Sequence, residues 1–370
     1  MMDRLWVKAL LFPGAFLVVF AIAFWMGLPE DELSDIVRRN IEHSLGGKYD
    51  VAFGSFSISG VSAVEAEAVN IKSRPPSLDA TEADLADFKK NLVDMTIDRV
   101  YIDVEVFKSL FSRSPVVDFE VDMGAGGVTG TYSQVAYEPM ETLPKKRRPS
   151  KKKPDGEEEE EEENADGDAA ETRKGHQVEI AFNDLPLNSV ELIEAKFGMP
   201  VGGLVAGSVV VLMDEKGQRM LDCKVDLVSS ATSLGPGPLP FDTGFGKFQI
   251  KQTVLGDVVI KAAVDGGKLE IEEVSTSGPD LEFEAAGNVT LANTFAGSSA
   301  RINARAKPSA DFLKRNDLEG VLDLDPKVRR AKVGEYYGFI VNGPIARLKP
   351  IPNRRSATGI EKLRPKDPKK

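Results

Sequence analysis

The stretch MTIDRVYIDVEVFKSLFSRSPVVDFEVDMGAGGVTGTYS, residues 95–133, decides the fold class. Two runs within it, 100–106 and 117–123, carry valine, isoleucine, phenylalanine or methionine at every second position, with charged or tyrosine side chains between them. Alternation with a period of two is the pattern of a β-strand with one apolar and one wet face. The glycine cluster at 124–127 indicates a turn into a further strand. The stretch therefore predicts an antiparallel sheet.

The same alternation recurs on both sides of this stretch. Short alternating runs occupy 49–73, and further runs occupy 268–272, 281–285 and 301–307. Hairpin turns are predicted at Asp214–Gly217, Asp265–Gly267 and Gly287–Asn288, a rigid loop at Gly235–Pro240, and the end of a strand near Gly343–Pro344. We therefore expect a mainly β fold in which long antiparallel strands form curved sheets with an apolar concave side. Whether the strands form one sheet or two lobes stays open at this point.

Helical periodicity is confined to short segments, two or three of which we expect at the start of each half. Residues 33–45 repeat apolar side chains at helical spacing before Gly46 and Gly47, which predicts an amphipathic helix packed on the first strands rather than lying on a membrane. Residues 79–95 could form a second helix. Asn188 begins and Gly198 ends a third predicted helix.

The N-terminal segment ALLFPGAFLVVFAIAFWMGL, residues 9–28, has no charged residue. As a helix it would extend about 30 Å, the thickness of the hydrocarbon core of a bilayer. Arg4 and Lys8 precede it, whereas acidic residues follow it from Glu30 onward. Because positive flanks stay in the cytoplasm, we expect a single-pass membrane anchor with the bulk of the chain translocated to the other side of the membrane.

Two other interpretations of this segment remain open. Ala21-Ile22-Ala23 resembles a signal-peptide cleavage site, and either interpretation exports the body of the protein. We favour an uncleaved membrane anchor over a cleaved signal peptide because the apolar run continues through Phe24, Trp25 and Met26. A buried core helix is disfavoured because the segment has no polar face.

Charge segregation divides the rest of the chain. A basic block at 145–153 is followed by seven glutamates at 157–163, and such like-charge runs lack the apolar surface needed for a folded core. The predicted regions are an anchor over 1–29, a first helix-plus-β region over 30–137, a disordered insert over 138–176, a second β-rich region over 177–352 and a disordered basic tail over 353–370.

Composition excludes several function classes. The net charge of −11 argues against nucleic-acid binding, which needs a basic surface. Cys223 is the single cysteine and is predicted to be a buried core residue. His43 and His176 are expected to face solvent. The motifs of serine hydrolases, zinc proteases and nucleotide-binding proteins do not occur in the sequence. We therefore predict no catalytic, cofactor-binding or metal-binding residues and disfavour an enzyme.

Four stretches resemble one protein family, that of type II secretion system protein N in the form found in delta-proteobacteria. In chain order, the four stretches occupy residues 51–73, 95–133, 197–211 and 336–352. The third reads FGMPVGGLVAGSVVV, and the fourth reads YYGFIVNGPIARLKPIP. The second stretch, in which a short corner at 107–111 joins two strands, is also typical of the wider AsmA-like superfamily. Neither likeness brings an active site with it.

The resemblance implies an inner-membrane accessory component of the apparatus that moves folded proteins out of the periplasm, with other secretion-system proteins as partners. The AsmA-like superfamily is linked to outer-membrane assembly and lipid traffic, which implies an alternative in which an apolar groove holds phospholipid. Neither implication includes a cofactor. An envelope enzyme is the third and least supported hypothesis.

Overall fold

The computed structural model describes thirteen segments of the chain: 30–60, 62–76, 81–82, 88, 92–112, 114–137, 173–190, 193–194, 198–217, 219–238, 249–265, 267–292 and 297–360. The predicted membrane span at 9–28 and most of the charged insert lie outside these residues, as does most of the helix predicted at 79–95. Within the described segments, no helix combines the length and the apolar character needed to cross a membrane.

Eighteen strands occupy most of the described chain. In chain order, β1 to β9 are Tyr49–Ala52, Ser55–Ser59, Ala63–Ser73, Asp94–Val104, Val116–Met123, Gly126–Tyr137, Arg173–Pro186, Val201–Met213 and Met220–Leu234. The strands β10 to β18 are Gly237–Pro238, Gln249–Ile250, Thr253–Asp265, Lys268–Ser277, Leu281–Thr290, Ser299–Pro308, Lys332–Val333, Tyr336–Pro344 and Lys349–Pro352.

Sixteen of these strands form one antiparallel sheet, in which fourteen follow the order β1-β3-β4-β5-β6-β7-β8-β9-β12-β13-β14-β15-β17-β16. Strand β2 pairs with β3, β18 pairs with β17, and β10 and β11 form a separate small pair. The mainly β prediction is thereby confirmed, and the two β regions belong to one continuous sheet rather than to two lobes. Most neighbours in the sheet are also neighbours in the chain, because short hairpins connect them.

The charged insert separates two strands that pair with each other. Strand β6 pairs with β7 from Gly127 opposite Asn183 to Tyr137 opposite Arg173. The chain therefore leaves the sheet at Tyr137 and re-enters it at the neighbouring position. Residues 173–176 belong to β7, so the second β region begins at 173 rather than at the predicted 177. These residues were not predicted as strand because they are polar and show no apolar alternation. Their backbone hydrogen bonds nevertheless continue the pairing of β7 with β6.

The first helix, α1 (Glu30–Ser44), packs against β1 and β2 as predicted. Ile41 contacts the hydrophobic core at this end of the sheet. Gly46 and Gly47 follow with φ angles of 72° and 68°, and the amide of Gly47 donates to the carbonyl of Glu42 over 2.8 Å. These glycines end the helix because they adopt the left-handed conformation without the penalty of a side chain.

The remaining helices are short. Helix α2 (Val106–Ser112) forms the corner between β4 and β5, and a 3-10 turn at Leu187–Ser189 replaces the start of the third predicted helix. The amide of Gly198 donates to the carbonyl of Glu194 over 2.7 Å, so this glycine closes a helical turn as predicted. Four further helices follow β15 and were not predicted: α3 (Ala310–Arg315), α4 (Val321–Leu324), α5 (Pro326–Arg330) and α6 (Arg354–Ala357).

Part of the predicted disordered tail belongs to the folded body. Helix α6 packs on β15 and β17, and Ser356, Ala357 and Ile360 are buried. Gly338 of β17 permits this packing, because an added Cβ would lie 2.2 Å from the carbonyl oxygen of Asn353. The fold therefore extends to residue 360 instead of ending at 352.

One predicted turn was wrong. Gly287 and Asn288 lie inside β14, where they pair with β13 on one side and with β15 on the other. A Cβ on Gly287 would lie 2.3 Å from the carbonyl oxygen of Arg301, so the glycine serves a close backbone approach. The turns predicted at 214–217 and around Gly267 are confirmed, with Gly217 and Gly267 at positive φ.

Candidate functional site

The pairing register aligns apolar residues in rows that cross the sheet. Directly opposed residues in antiparallel strands project from the same face, so a chain of such pairs traces one face from strand to strand. The first row contains Ile102, Phe119, Gly130, Ile180, Val209, Val225, Ala262, Ile271, Gly287, Ile302 and Val341. The second contains Val100, Val121, Val128, Phe182, Gly207, Leu227, Ile260, Val274, Ala285, Ala304 and Phe339.

We call these two rows the apolar face. They run through eleven consecutive strands of the sheet, β4 to β9, β12 to β15 and β17, without a polar residue. The face turned the other way is polar and is called the polar face. One of its rows contains Tyr101, Glu120, Thr129, Ala181, Ser208, Asp226, Lys261 and Glu273. The sheet therefore has two chemically different surfaces along its length.

The apolar face is only partly covered in the middle of the sheet. Phe119, Ile180, Val209 and Val225 all keep an intermediate solvent exposure. At the first end of the sheet, by contrast, side chains form a buried cluster that includes Val51, Val69, Val93, Met95, Ile97, Met123 and Leu185. The central part of the apolar face thus presents aliphatic surface that another apolar group can contact.

Ion pairs stabilise the polar face near β14, β15 and β17. The Glu284 carboxylate accepts two hydrogen bonds from the Arg305 guanidinium, over 2.9 and 2.7 Å. Lys307 pairs with Glu282 over 3.1 Å, and the Tyr336 hydroxyl donates to Glu282 over 2.6 Å. The hydrogen bond from Tyr336, followed by that from Lys307, holds the pKa of Glu282 below its ordinary value. The same carboxylate raises the pKa of Tyr336.

A cleft of about 550 Å³ lies beside this cluster. It is bordered by Glu282, Glu284 and Arg305 on one side and by Thr358–Ile360 of the C-terminal segment on the other. Glu284 is paired with Arg305 and Glu282 with Lys307, whereas the Asp257 and Glu273 carboxylates on the wall accept hydrogen bonds from the Ala231 amide and the Ser275 hydroxyl. Among the described residues, no group of three histidine, cysteine, aspartate or glutamate side chains is placed to hold a metal ion.

The structure describes the environments of the three residues that the sequence analysis singled out. Cys223 is buried as predicted, and burial, with a smaller contribution from Asp222, raises the pKa of its thiol. His43 is exposed as predicted. His176, which was expected to face solvent, is partly exposed: its ring stacks on Tyr132, and its two nitrogens are hydrogen-bonded with the Tyr132 hydroxyl over 2.7 Å and the Glu215 carbonyl over 2.9 Å. His176 is in β7, opposite Gln134 of β6, and not in the charged tract.

The sequence predicted single amphipathic strands but not the two continuous rows. Each run indicates one apolar and one polar face, whereas the register that aligns one run with the next depends on turns and bulges. Comparison of the chain with known protein families, with curated proteins and with solved structures gives no match. The resemblance to type II secretion system protein N therefore remains an expectation from the four sequence stretches at 51–73, 95–133, 197–211 and 336–352.

Proposed function

We propose that the chain is an inner-membrane-anchored accessory component of the type II protein secretion system and acts in the periplasm as a scaffold. It acts through binding along its sheet rather than through catalysis. The segment 9–28 holds it in the membrane, and the acidic residues that begin α1 follow on the periplasmic side.

The observation that carries this proposal is the position of the four family-like stretches in the sheet. They correspond to β1–β3, β4–β6, β8 and β17–β18, which places them at both ends and in the centre of the strand order. The likeness is therefore spread over one hydrogen-bonded unit and is not confined to a detachable part. The charged insert lies between β6 and β7, where a long connection can leave the sheet without disturbing the pairing.

Neighbouring residues of β9 permit a test that separates protein contacts from lipid contacts. Asp226 is an exposed member of the polar face, and Leu227 belongs to the apolar face. A photo-crosslinking amino acid at position 226 of the full chain, expressed in the native host, should form adducts with other secretion-system proteins. The same amino acid is placed at position 227 in a second variant. If neither position forms adducts with other secretion-system proteins, the scaffold proposal is contradicted.

A second function is favoured by the central part of the apolar face. Aliphatic side chains that remain partly exposed across several strands could cover the acyl chains of a phospholipid, as the likeness to AsmA-like proteins implies. Each CH₂ group removed from water would contribute about 0.8 kcal/mol to binding. In this case position 227 should crosslink to phospholipid, and phospholipid should co-purify with the full chain.

A further inference from the structure

An exposed group of apolar side chains lies where β4 turns into α2. It comprises Ile102 and Val104 at the end of β4 and Val106, Leu110 and Phe111 in α2, and we call it the apolar corner. Phe111 is 84% exposed and Leu110 is 70% exposed, the two highest values among the large exposed apolar residues of the described chain. Side chains of this size and exposure, grouped together, mark a surface that contacts another apolar phase.

The apolar corner lies at one defined end of strand β3. The amide of Val104 donates to the carbonyl of Ser62 over 3.2 Å, and the Ser62 hydroxyl bonds to Asp103 over 2.7 Å. Ala63, the first residue of β3, pairs with Asp103. The corner is therefore next to the turn between β2 and β3.

Helix α1 ends at the opposite end of β3. The Glu42 carboxylate accepts hydrogen bonds from the amide of Val51 and from Arg74, each over 3.2 Å. Strand β1, which contains Val51, pairs with the last four residues of β3, Asn70 to Ser73. The helix also packs on β2, which pairs with the beginning of β3. From its C-terminal turn at β1, α1 therefore extends back along β2, so that its N-terminus is directed towards the end that carries the apolar corner.

In the proposed function, the chain meets the membrane next to the N-terminus of α1. The apolar segment predicted to span the bilayer ends at Leu28, and α1 begins at Glu30. A single residue leaves no room for a linker between the two, since one residue spans at most about 3.6 Å. The bilayer surface must lie close to the start of α1, and hence near the end of the sheet to which this helix points.

We propose that the apolar corner inserts into the interface of the bilayer that holds the anchor, on its periplasmic side. Phe111 and Leu110 would enter the boundary between headgroups and acyl chains, as apolar side chains of interfacial segments do. A second contact beside the anchor would fix the tilt of the sheet relative to the membrane. The proposal depends on the anchoring part of the proposed function but not on a role in secretion.

Fluorescence quenching by lipids tests this insertion. Because Cys223 is the single cysteine, a Cys223→Ser background allows one label per chain. The full-length Phe111→Cys variant would carry an environment-sensitive fluorophore and be reconstituted into vesicles of phosphatidylethanolamine and phosphatidylglycerol. Leu324→Cys supplies a matched control, because Leu324 is 68% exposed but belongs to α4, which contacts the β16–β17 edge of the sheet.

We expect emission from position 111 to shift to shorter wavelength and to be quenched by brominated acyl chains, with neither effect at position 324. Equal quenching at the two positions, or none at position 111, would overturn the proposal. A shift to shorter wavelength without lipid quenching would also overturn it, because the corner would then be covered by protein. A chain that fails to enter the vesicles would contradict the anchor and this proposal together. Secretion measurements are independent of these outcomes.

Discussion

Replacing Gly207 by alanine is expected to lower the free energy of unfolding by about 3 kcal/mol, through combined backbone strain and overpacking. Gly207 lies in the middle of β8 with a φ angle of 127°, which residues with a side chain rarely adopt. An added Cβ would also lie 2.1 Å from the backbone oxygen of Asp226 on β9. Because that oxygen belongs to the sheet, it cannot move without disturbing the pairing of two central strands.

Urea unfolding of the full chain, followed by far-ultraviolet circular dichroism, measures this effect. Gly217→Ala is the matched control, because Gly217 has a φ angle of 64° but an added Cβ would meet no atom within 4 Å. The free energy of unfolding of that control should fall only by the strain of a side chain in the left-handed conformation, about 1–2 kcal/mol. If both variants shift the midpoint equally, the close approach of β8 and β9 at Gly207 is not as described.

Replacing Val209 by aspartate is expected to reduce co-purifying phospholipid at least about tenfold, if the apolar face holds acyl chains. The charge would be placed between Ile180 and Val225, in the centre of the first apolar row. A carboxylate next to an acyl chain loses hydration without gaining a partner, and each 1.4 kcal/mol of that cost is a tenfold loss of binding.

The adjacent residue provides the control for this substitution. Val210 lies on the polar face between Glu179 and Lys224, with an intermediate exposure like that of Val209. Val210→Asp should therefore keep its phospholipid, as measured by lipid extraction and mass spectrometry of protein purified in detergent. Equal lipid contents in the two variants would exclude the apolar face as the lipid site, and circular dichroism would verify that both remain folded.

The strands that the sequence predicted well are those whose register needs no knowledge of their neighbours. Alternation over 117–123 or 281–285 indicates the two chemically different faces of one strand, and a turn glycine such as Gly124, with a φ angle of 61°, reports a local backbone requirement. The wrong turn prediction at Gly287 arose because the local sequence does not show which strands lie beside it. A glycine that allows the close approach of another strand cannot be distinguished from a turn glycine by its local sequence.

The single continuous sheet could not be predicted, because it depends on pairing across the charged insert between Tyr137 and Arg173. The helices after β15, however, left signals in the sequence. Ser309 accepts a hydrogen bond from the amide of Phe312 at the start of α3, and Asp325 with Pro326 begins α5. Such residues are typical of helix N-termini, so the capping pattern could have indicated these helices despite their small number of apolar residues.

The measurement that tests the central claim most directly is the amount of normally secreted protein in the culture medium of a strain lacking this gene. The same strain carrying the full-length gene on a plasmid is the comparison. If the chain is a secretion component, these proteins should accumulate in the periplasm of the deletion strain and return to the medium on complementation. Unchanged secretion in the deletion strain would contradict the claim and leave binding of phospholipid by the apolar face as the function to pursue.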